Sequence, residues 1–385
     1  MIDQEYCQSR LKYTRKSEVG LSMVNTRGNL FPFFLCQNNF RLILNISDTR
    51  YIQKKMRTAW LKIRMGLCVL LLFAVIYALL IVIATFTGAG TPIIYALLAF
   101  VLVGVQFFIG PKIVEKTMRV RYVSEREQPE LHRMVSELAM KAGIPKPRVG
   151  ISEIPIPNAF AFGTSKKTAR VCVTRRLMEM LKRDEIEAVL GHELSHIKHR
   201  DMAVITGLSV IPMICYFIYF SFFWSGIFGG MGGGRNREGG GAVSMLAIAF
   251  IAFIVYFISN LIVLYASRIR EYYADAGSAE LTRKPHELAS ALYKMIYGSA
   301  VGTKQEKIKK EMGSMRAFFA ADPVTARRDL RDLSAADLNK DGKIDEYELR
   351  AFAERARVTR AERLMELFST HPNPVSRVKR LGTYL

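Results

Sequence analysis

Residues 189–201 read VLGHELSHIKHRD, and the histidines inside this stretch decide how the rest of the chain is read. His192 and His196 are four apart, so on a helix they share a face and lie ~6 Å apart along its axis. Two imidazoles so placed can hold one tetrahedral Zn2+. Glu193, beside the first of them, can take a proton from an activated water. Three positions define the pattern, so chance alone can produce it. A zinc site of this kind also needs a third protein ligand and an open fourth position.

The third ligand is sought downstream. Residues 270–281 read REYYADAGSAEL, with Glu271 and Asp275 one helical turn apart. Glu271 can complete the ligand set, and Asp275 can fix a ligating histidine through its second ring nitrogen. His199 shares the face of His192 and His196 but lies ~10 Å along the axis from His192, too far to share one metal.

Between these two segments, and before them, the chain is apolar. Four stretches, 66–86, 91–110, 202–224 and 242–266, carry no charged residue and are long enough to cross a bilayer as helices. A soluble domain has no room for four such helices. The net charge of +21 in a chain whose residues are half hydrophobic fits the same reading. Lys and Arg gather beside the spans in RYIQKKMRTAWLKIRM, PKIVEKTMRVRY and SRIR, and accumulate on the side that is not translocated. That side holds both termini, 111–201 and everything after 267, and it is cytoplasmic. The basic excess is therefore topology, and nucleic acid is not an expected partner. The five cysteines are scattered with no paired spacing, which excludes a disulfide framework.

Residues 111–201 turn to mixed structure. Residues 130–142 are amphipathic and helical, 148–153, 159–163 and 169–174 are short strands set off by Pro, Asn and Gly, and 184–199 is a helix capped by Asp184. Residues 1–55 lack a sustained period and a signal-peptide core. They read as an extension, either disordered or upstream of a true start at Met56.

Four motifs in order resemble the HtpX-type membrane zinc metalloproteases, relatives of the CAAX prenyl proteases. They are IPNAFAFG (156–163), GHELSHIKHRD (191–201), EYYAD (271–275) and FSTHPNPVSRVKRL (368–381). The resemblance covers residues 56–385, interrupted once. It implies His192, His196 and Glu271 as ligands of one zinc ion, Glu193 as general base and Asp275 as the residue orienting a ligand. It also implies His371 and Arg377 beside the oxyanion, and Asn158, Ala159 and Phe160 as the strand that binds an extended substrate. Polypeptides, membrane or misfolded proteins among them, are the expected substrates, and the lipid bilayer is the expected surrounding. Processing of prenylated C-termini is the sibling activity. A metal-binding scaffold or calcium sensor without hydrolysis is the non-enzymatic alternative, against which the intact Glu193 speaks.

The fold expected is α+β and predominantly helical: a polytopic cell-membrane protein with four transmembrane helices and a cytoplasmic HExxH zinc metalloprotease domain split by the second helical hairpin. Its parts are the extension 1–55, a first hairpin 56–110, catalytic segments 111–201 and 267–320 around a second hairpin 202–266, an insertion 321–362 and a C-terminal segment 363–385.

The insertion departs from the resemblance. Residues 337–348, DLNKDGKIDEYE, match a twelve-residue EF-hand loop. Asp337, Asn339 and Asp341 stand at positions one, three and five, and Gly342 makes the turn at six. Lys343 offers its carbonyl at seven, with Asp345 at nine and Glu348 at twelve. Helical sequence flanks the loop, so a Ca2+ site is expected here.

Overall fold

A computed structural model describes residues 63–79 (save 69, 73 and 76), 91–229, 240–301 and 326–385. Residues 1–55, the end of the expected first span and most of the glycine-rich loop before the fourth lie outside them.

Three strands of the sheet form where the sequence places them, and a fourth, at Val120–Tyr122, was not expected. Four strands, β1 (Val120–Tyr122), β2 (Arg148–Ser152), β3 (Ala159–Phe162) and β4 (Arg170–Thr174), lie in the order β1-β2-β4-β3. β2 and β4 pair in parallel, while β3 runs antiparallel to β4 with Phe160 opposite Cys172. β3 is thus an edge strand. Helix α3 (Pro129–Ala142) buries Leu131, Met134, Val135, Leu138, Ala139 and Ala142, the 3–4 spacing of one helical face, and stops at Gly143 with φ +66°.

Helix α5 (Arg183–His199), which follows the short α4 (Arg175–Met180), carries the HExxH pattern. Its N-cap is Lys182, not Asp184: the Glu185 carboxylate accepts the Lys182 backbone N–H at 2.7 Å, and Asp184 sits in the first turn paired with Lys284. The helix buries Ile186, Val189, Leu190, Leu194 and Ile197 in a common apolar core.

The apolar segments form long helices. α1 (Ile63–Leu79) and α2 (Thr91–Thr117) contain the described parts of the first two expected spans. Among the described residues, two helical stretches are long and apolar enough to cross a membrane, Asp201–Phe228 and Val243–Thr282. The first comprises α6 (Asp201–Leu208) and α7 (Val210–Gly229), which break at Ser209. Pro212 explains the break, since it cannot donate to the Leu208 carbonyl and its ring crowds that oxygen.

Two differences from the expected layout matter to the site. α5 does not run straight into the third span: Arg200 adopts a left-handed backbone (φ +56°) and turns the chain before α6. And α8 (Gly240–Thr282) is one unbroken helix of 43 residues, about 64 Å long. That is twice the ~30 Å hydrocarbon core of a bilayer, so the helix containing the fourth apolar stretch continues onward to carry Glu271 and Asp275.

α5 and α8 cross closely because of small residues. A Cβ on Gly277 would lie 2.1 Å from Ser195 Oγ, and Ser278 Oγ donates to the Ala188 carbonyl at 2.6 Å. Helix α9 (Pro285–Val301) adds to the core, and the C-terminal α13 (Pro374–Leu381) closes it. Between α9 and α13 come α10 (Ala326–Leu333), α11 (Glu346–Arg355) and α12 (Arg360–Glu366), with the expected cation loop joining α10 to α11.

Candidate metal centre

The crossing of α5 and α8 brings three donors to one point. His192 Nε2 lies 3.1 Å from His196 Nε2, and the Glu271 carboxylate lies 3.6 Å from the first and 3.5 Å from the second. Tetrahedral zinc with bonds of ~2.0–2.2 Å sets donors about 3.4 Å apart, so the residues present fit the ion. Among the described residues this is the group of His, Cys, Asp and Glu atoms that converges as a metal ligand set.

The far side of each ring settles which nitrogen faces inward. His192 Nδ1 lies 3.0 Å from Asp275 Oδ1, and His196 Nδ1 lies 2.6 Å from Asp201 Oδ2. A ring whose Nδ1–H donates to a carboxylate presents a lone pair at Nε2. Two such lone pairs and a carboxylate then face one another in a buried space, an arrangement that only a cation relieves.

Without a metal that cation is a proton. Burial opposes charge on His192, but the hydrogen bonds with Asp275 and Glu271 outweigh it and raise the ring to about 9. Burial, then the charge on His192, holds His196 below the ordinary histidine value. At neutral pH zinc must therefore displace the proton of His192. The apparent zinc affinity of the metal-free protein should rise with pH until about pH 9, with close to one proton released per zinc at pH 7. Calorimetric titration in buffers of different ionisation enthalpy reads that proton directly, and its absence would contradict the arrangement.

Asp201 was not singled out in the sequence. The left-handed turn at Arg200 swings it back toward His196, and the Arg270 guanidinium on α8 pairs with its other oxygen. Arg270 also donates to the His199 carbonyl at 2.9 Å, tying the end of α5 to α8. His199 itself bonds back to Ser195 and stands apart from the donors.

Arg377 is placed differently from its expected post beside the oxyanion. It is 2% exposed and lies behind the carboxylates. Its Nε and Nη2 donate to the two oxygens of Asp275 at 3.0 and 2.6 Å, and Nη1 lies 3.2 Å from Glu271. His371 does line the cleft, with Nδ1 3.5 Å from Glu271 Oε2.

The cleft has a volume of about 290 Å³. Glu193 and the ligands form its floor, Ala159 and Phe160 of β3 one wall, and Ile205, Val263 and Leu264 of the apolar helices another. The outer edge of β3 therefore borders the metal centre. Asn158 sits at the strand's start, buried, with its backbone N–H donated to Thr174 Oγ1. Burial raises Glu193 above the ordinary carboxylate range, against the opposing pull of His196 and His192.

The expected cation loop folds as a loop between two helices. Asp337 accepts the backbone N–H of Asp341 and Gly342, Asn339 accepts that of Asp341, and Gly342 turns at φ +81°. Asp341 accepts from Lys343, and Glu348 from Leu338, Asn339 and Asp345. Its carboxylates do not converge as the zinc donors do.

Two histidines one turn apart and a glutamate from a second helix, with a buried carboxylate beside them in a cleft, define a zinc metallopeptidase centre. The pattern described as Peptidase family M48 matches residues 125–384, and the chain belongs to that family. It is similar to the protease HtpX homolog of Methanothermobacter thermautotrophicus, 54% identical over 63% of this chain and 88% of that one. The HtpX homolog of Aeropyrum pernix is 36% identical over 76% of this chain and 85% of its own. The crystal structure of S. mikatae Ste24p is similar at a TM-score of 0.45 and 14% identity, covering 86% of this chain and 66% of that one. The chain is a membrane zinc metalloendopeptidase.

Proposed function

We propose that His192, His196 and Glu271 hold the zinc ion, with Glu193 as general base. The convergence of three donors 3.1–3.6 Å apart carries the reading. When bound, zinc polarises the scissile carbonyl and acidifies the attacking water. Glu193 accepts the proton of that water and passes it to the leaving amine, a task open to a carboxylate on the cleft floor beside the ligands. Asp275 and Asp201 keep the two rings aimed, and Arg377 holds Asp275 and Glu271 in place. His371, at the cleft wall, is positioned to donate to the developing oxyanion. The edge of β3 pairs with an extended substrate through main-chain hydrogen bonds, which read shape more than sequence. Chelation should abolish peptide hydrolysis and zinc should restore it in wild type. Glu271→Ala should bind zinc at least 10–100-fold more weakly, the loss known for residues merely supporting a ligand. A Glu271→Ala enzyme with full zinc content would sink the ligand assignment.

The setting follows from the apolar helices. Four spans, at 66–86, 91–110, 202–224 and 242–266, put the catalytic parts and both termini on the cytoplasmic face, where the basic flanks lie. A cleft walled partly by the apolar helices favours substrates presented at the membrane. Clearance of damaged membrane proteins is the role we assign, rather than processing of prenylated C-termini.

The loop 337–348 is read as a Ca2+ site. Its turn glycine at φ +81° and its position between α10 and α11 support this. Calcium should bind the wild-type protein and not Glu348→Gln, by calorimetry on the full chain. Equal binding by both would remove the site.

A further inference from the structure

Residues 357–368 read RVTRAERLMELF and hold a short helix, α12, whose two sides differ. Thr359 caps it, and the Glu362 carboxylate returns to the Thr359 backbone N–H at 2.7 Å. The acids turn inward: Glu362 and Glu366 line a small cavity with Arg328, Ser369 and His371. The outward side is apolar and basic. Leu364, Leu367 and Phe368 are 63%, 42% and 64% exposed. Arg357, Arg360 and Arg363 are exposed at three-residue intervals beside them. Large apolar side chains clustered this way on a surface mark a contact.

The position of the cluster says with what. The Phe368 ring lies 6.4 Å from the ring of Phe257 on α8. Phe257 belongs to an exposed apolar face of that helix with Phe250 and Phe253. Arg268 donates from Nη1 to the carbonyls of Leu367 and Ser369, at 3.2 and 2.7 Å, and so fastens the segment to the same helix. Arg268 is the first charged residue after the apolar stretch of α8. Phe257 lies eleven residues before it, ~16 Å along the axis. Phe368 thus reaches past the level where α8 turns from charged to apolar.

We propose that α12 and residues 367–368 form an interfacial membrane contact. Leu364, Leu367 and Phe368 enter the acyl boundary, and Arg357, Arg360 and Arg363 meet anionic lipid headgroups. The proposal rests on α8 crossing the bilayer. A bilayer fits better than a second copy because the patch continues the apolar face of α8, which lipid covers, and because arginines border it. The consequence is local: Ser369 and His371 follow at once, so lipid contact steadies the chain at the wall of the cleft.

The test uses the full chain in vesicles of phosphatidylcholine and phosphatidylglycerol. Leu364→Cys and Phe368→Cys are made singly on a background lacking the native cysteines and labelled with a small fluorophore. Tyr347→Cys on α11 and Phe250→Cys on α8 serve as references, and zinc content reports that each variant is folded. Labels at 364 and 368 should be quenched by acyl-chain nitroxide lipids and shielded from aqueous iodide, as at 250, while 347 shows the reverse. Iodide quenching at 364 and 368 equal to that at 347 overturns the contact alone. Iodide access at 250 overturns the spanning of α8 and the contact with it. Shielding that persists in detergent and grows with protein concentration identifies a second copy and also overturns it. Shielding at 368 should be stronger with phosphatidylglycerol than in phosphatidylcholine alone, and Arg357→Gln/Arg360→Gln/Arg363→Gln should erase that difference. No difference in the parent protein would remove the headgroup part.

Discussion

Glu193→Gln is expected to lose roughly 10²–10⁴-fold in kcat while keeping its zinc. The side chain lies on the floor of the cleft and is not one of the three convergent donors. Glutamine has nearly the same shape, so packing around this buried position is preserved. What disappears is a carboxylate able to carry a proton from the attacking water to the leaving amine. In the metal-free protein burial raises Glu193 above the usual carboxylate range. Zinc content and peptide hydrolysis measured on the same purified sample separate the two roles. Hydrolysis within a factor of a few of wild type would mean that another group accepts the proton.

Arg377→Ala is the substitution expected to cost most in stability. The guanidinium is almost wholly buried, grips both oxygens of Asp275 and approaches Glu271. Removing it leaves two carboxylates in the interior without their shared counter-charge, a change that costs about 3–5 kcal/mol. Against a typical total of about 5–15 kcal/mol this is a large share. Asp275 also orients His192, so the same change should weaken zinc binding by ~10–100-fold. Arg377→Lys keeps the charge but loses the two-pronged geometry and should fall between. Thermal unfolding with competitive chelation measures both effects, and an alanine variant as stable and as zinc-rich as wild type would refute the assignment.

The parts of the centre that were legible in the sequence are those governed by short-range geometry. Four residues make one helical turn, so His192 and His196 had to share a face, and Glu271 and Asp275 likewise. The three strand candidates appear within a residue or so, because alternation and Pro or Gly breakers act locally. Asp201 was not legible, since its approach to His196 depends on a left-handed turn at Arg200 that a non-glycine residue rarely takes. Nor was Gly277: its importance lies in a crossing with Ser195, 82 positions earlier in the chain, that no periodicity announces. The station of Arg377 behind the carboxylates depends on the same long-range packing. The cap of α5 shifted from Asp184 to Lys182 because Glu185 could reach back to that backbone N–H.

The joining of span and site in α8 has a mechanical meaning. One continuous helix carries the apolar stretch, Arg268, Arg270, Glu271 and Asp275, so the position of a zinc donor is tied to a segment expected to lie in the bilayer. Movement of that helix along its axis would move Glu271 against His192 and His196 on α5.

X-ray absorption at the zinc edge of the purified full-length protein tests the central claim most directly. The account predicts one zinc per chain with two imidazole nitrogens and light oxygen ligands at ~2.0–2.2 Å, no sulfur, and loss of bound zinc in Glu271→Ala. A sulfur ligand, a single imidazole, or an unchanged spectrum in Glu271→Ala would contradict it.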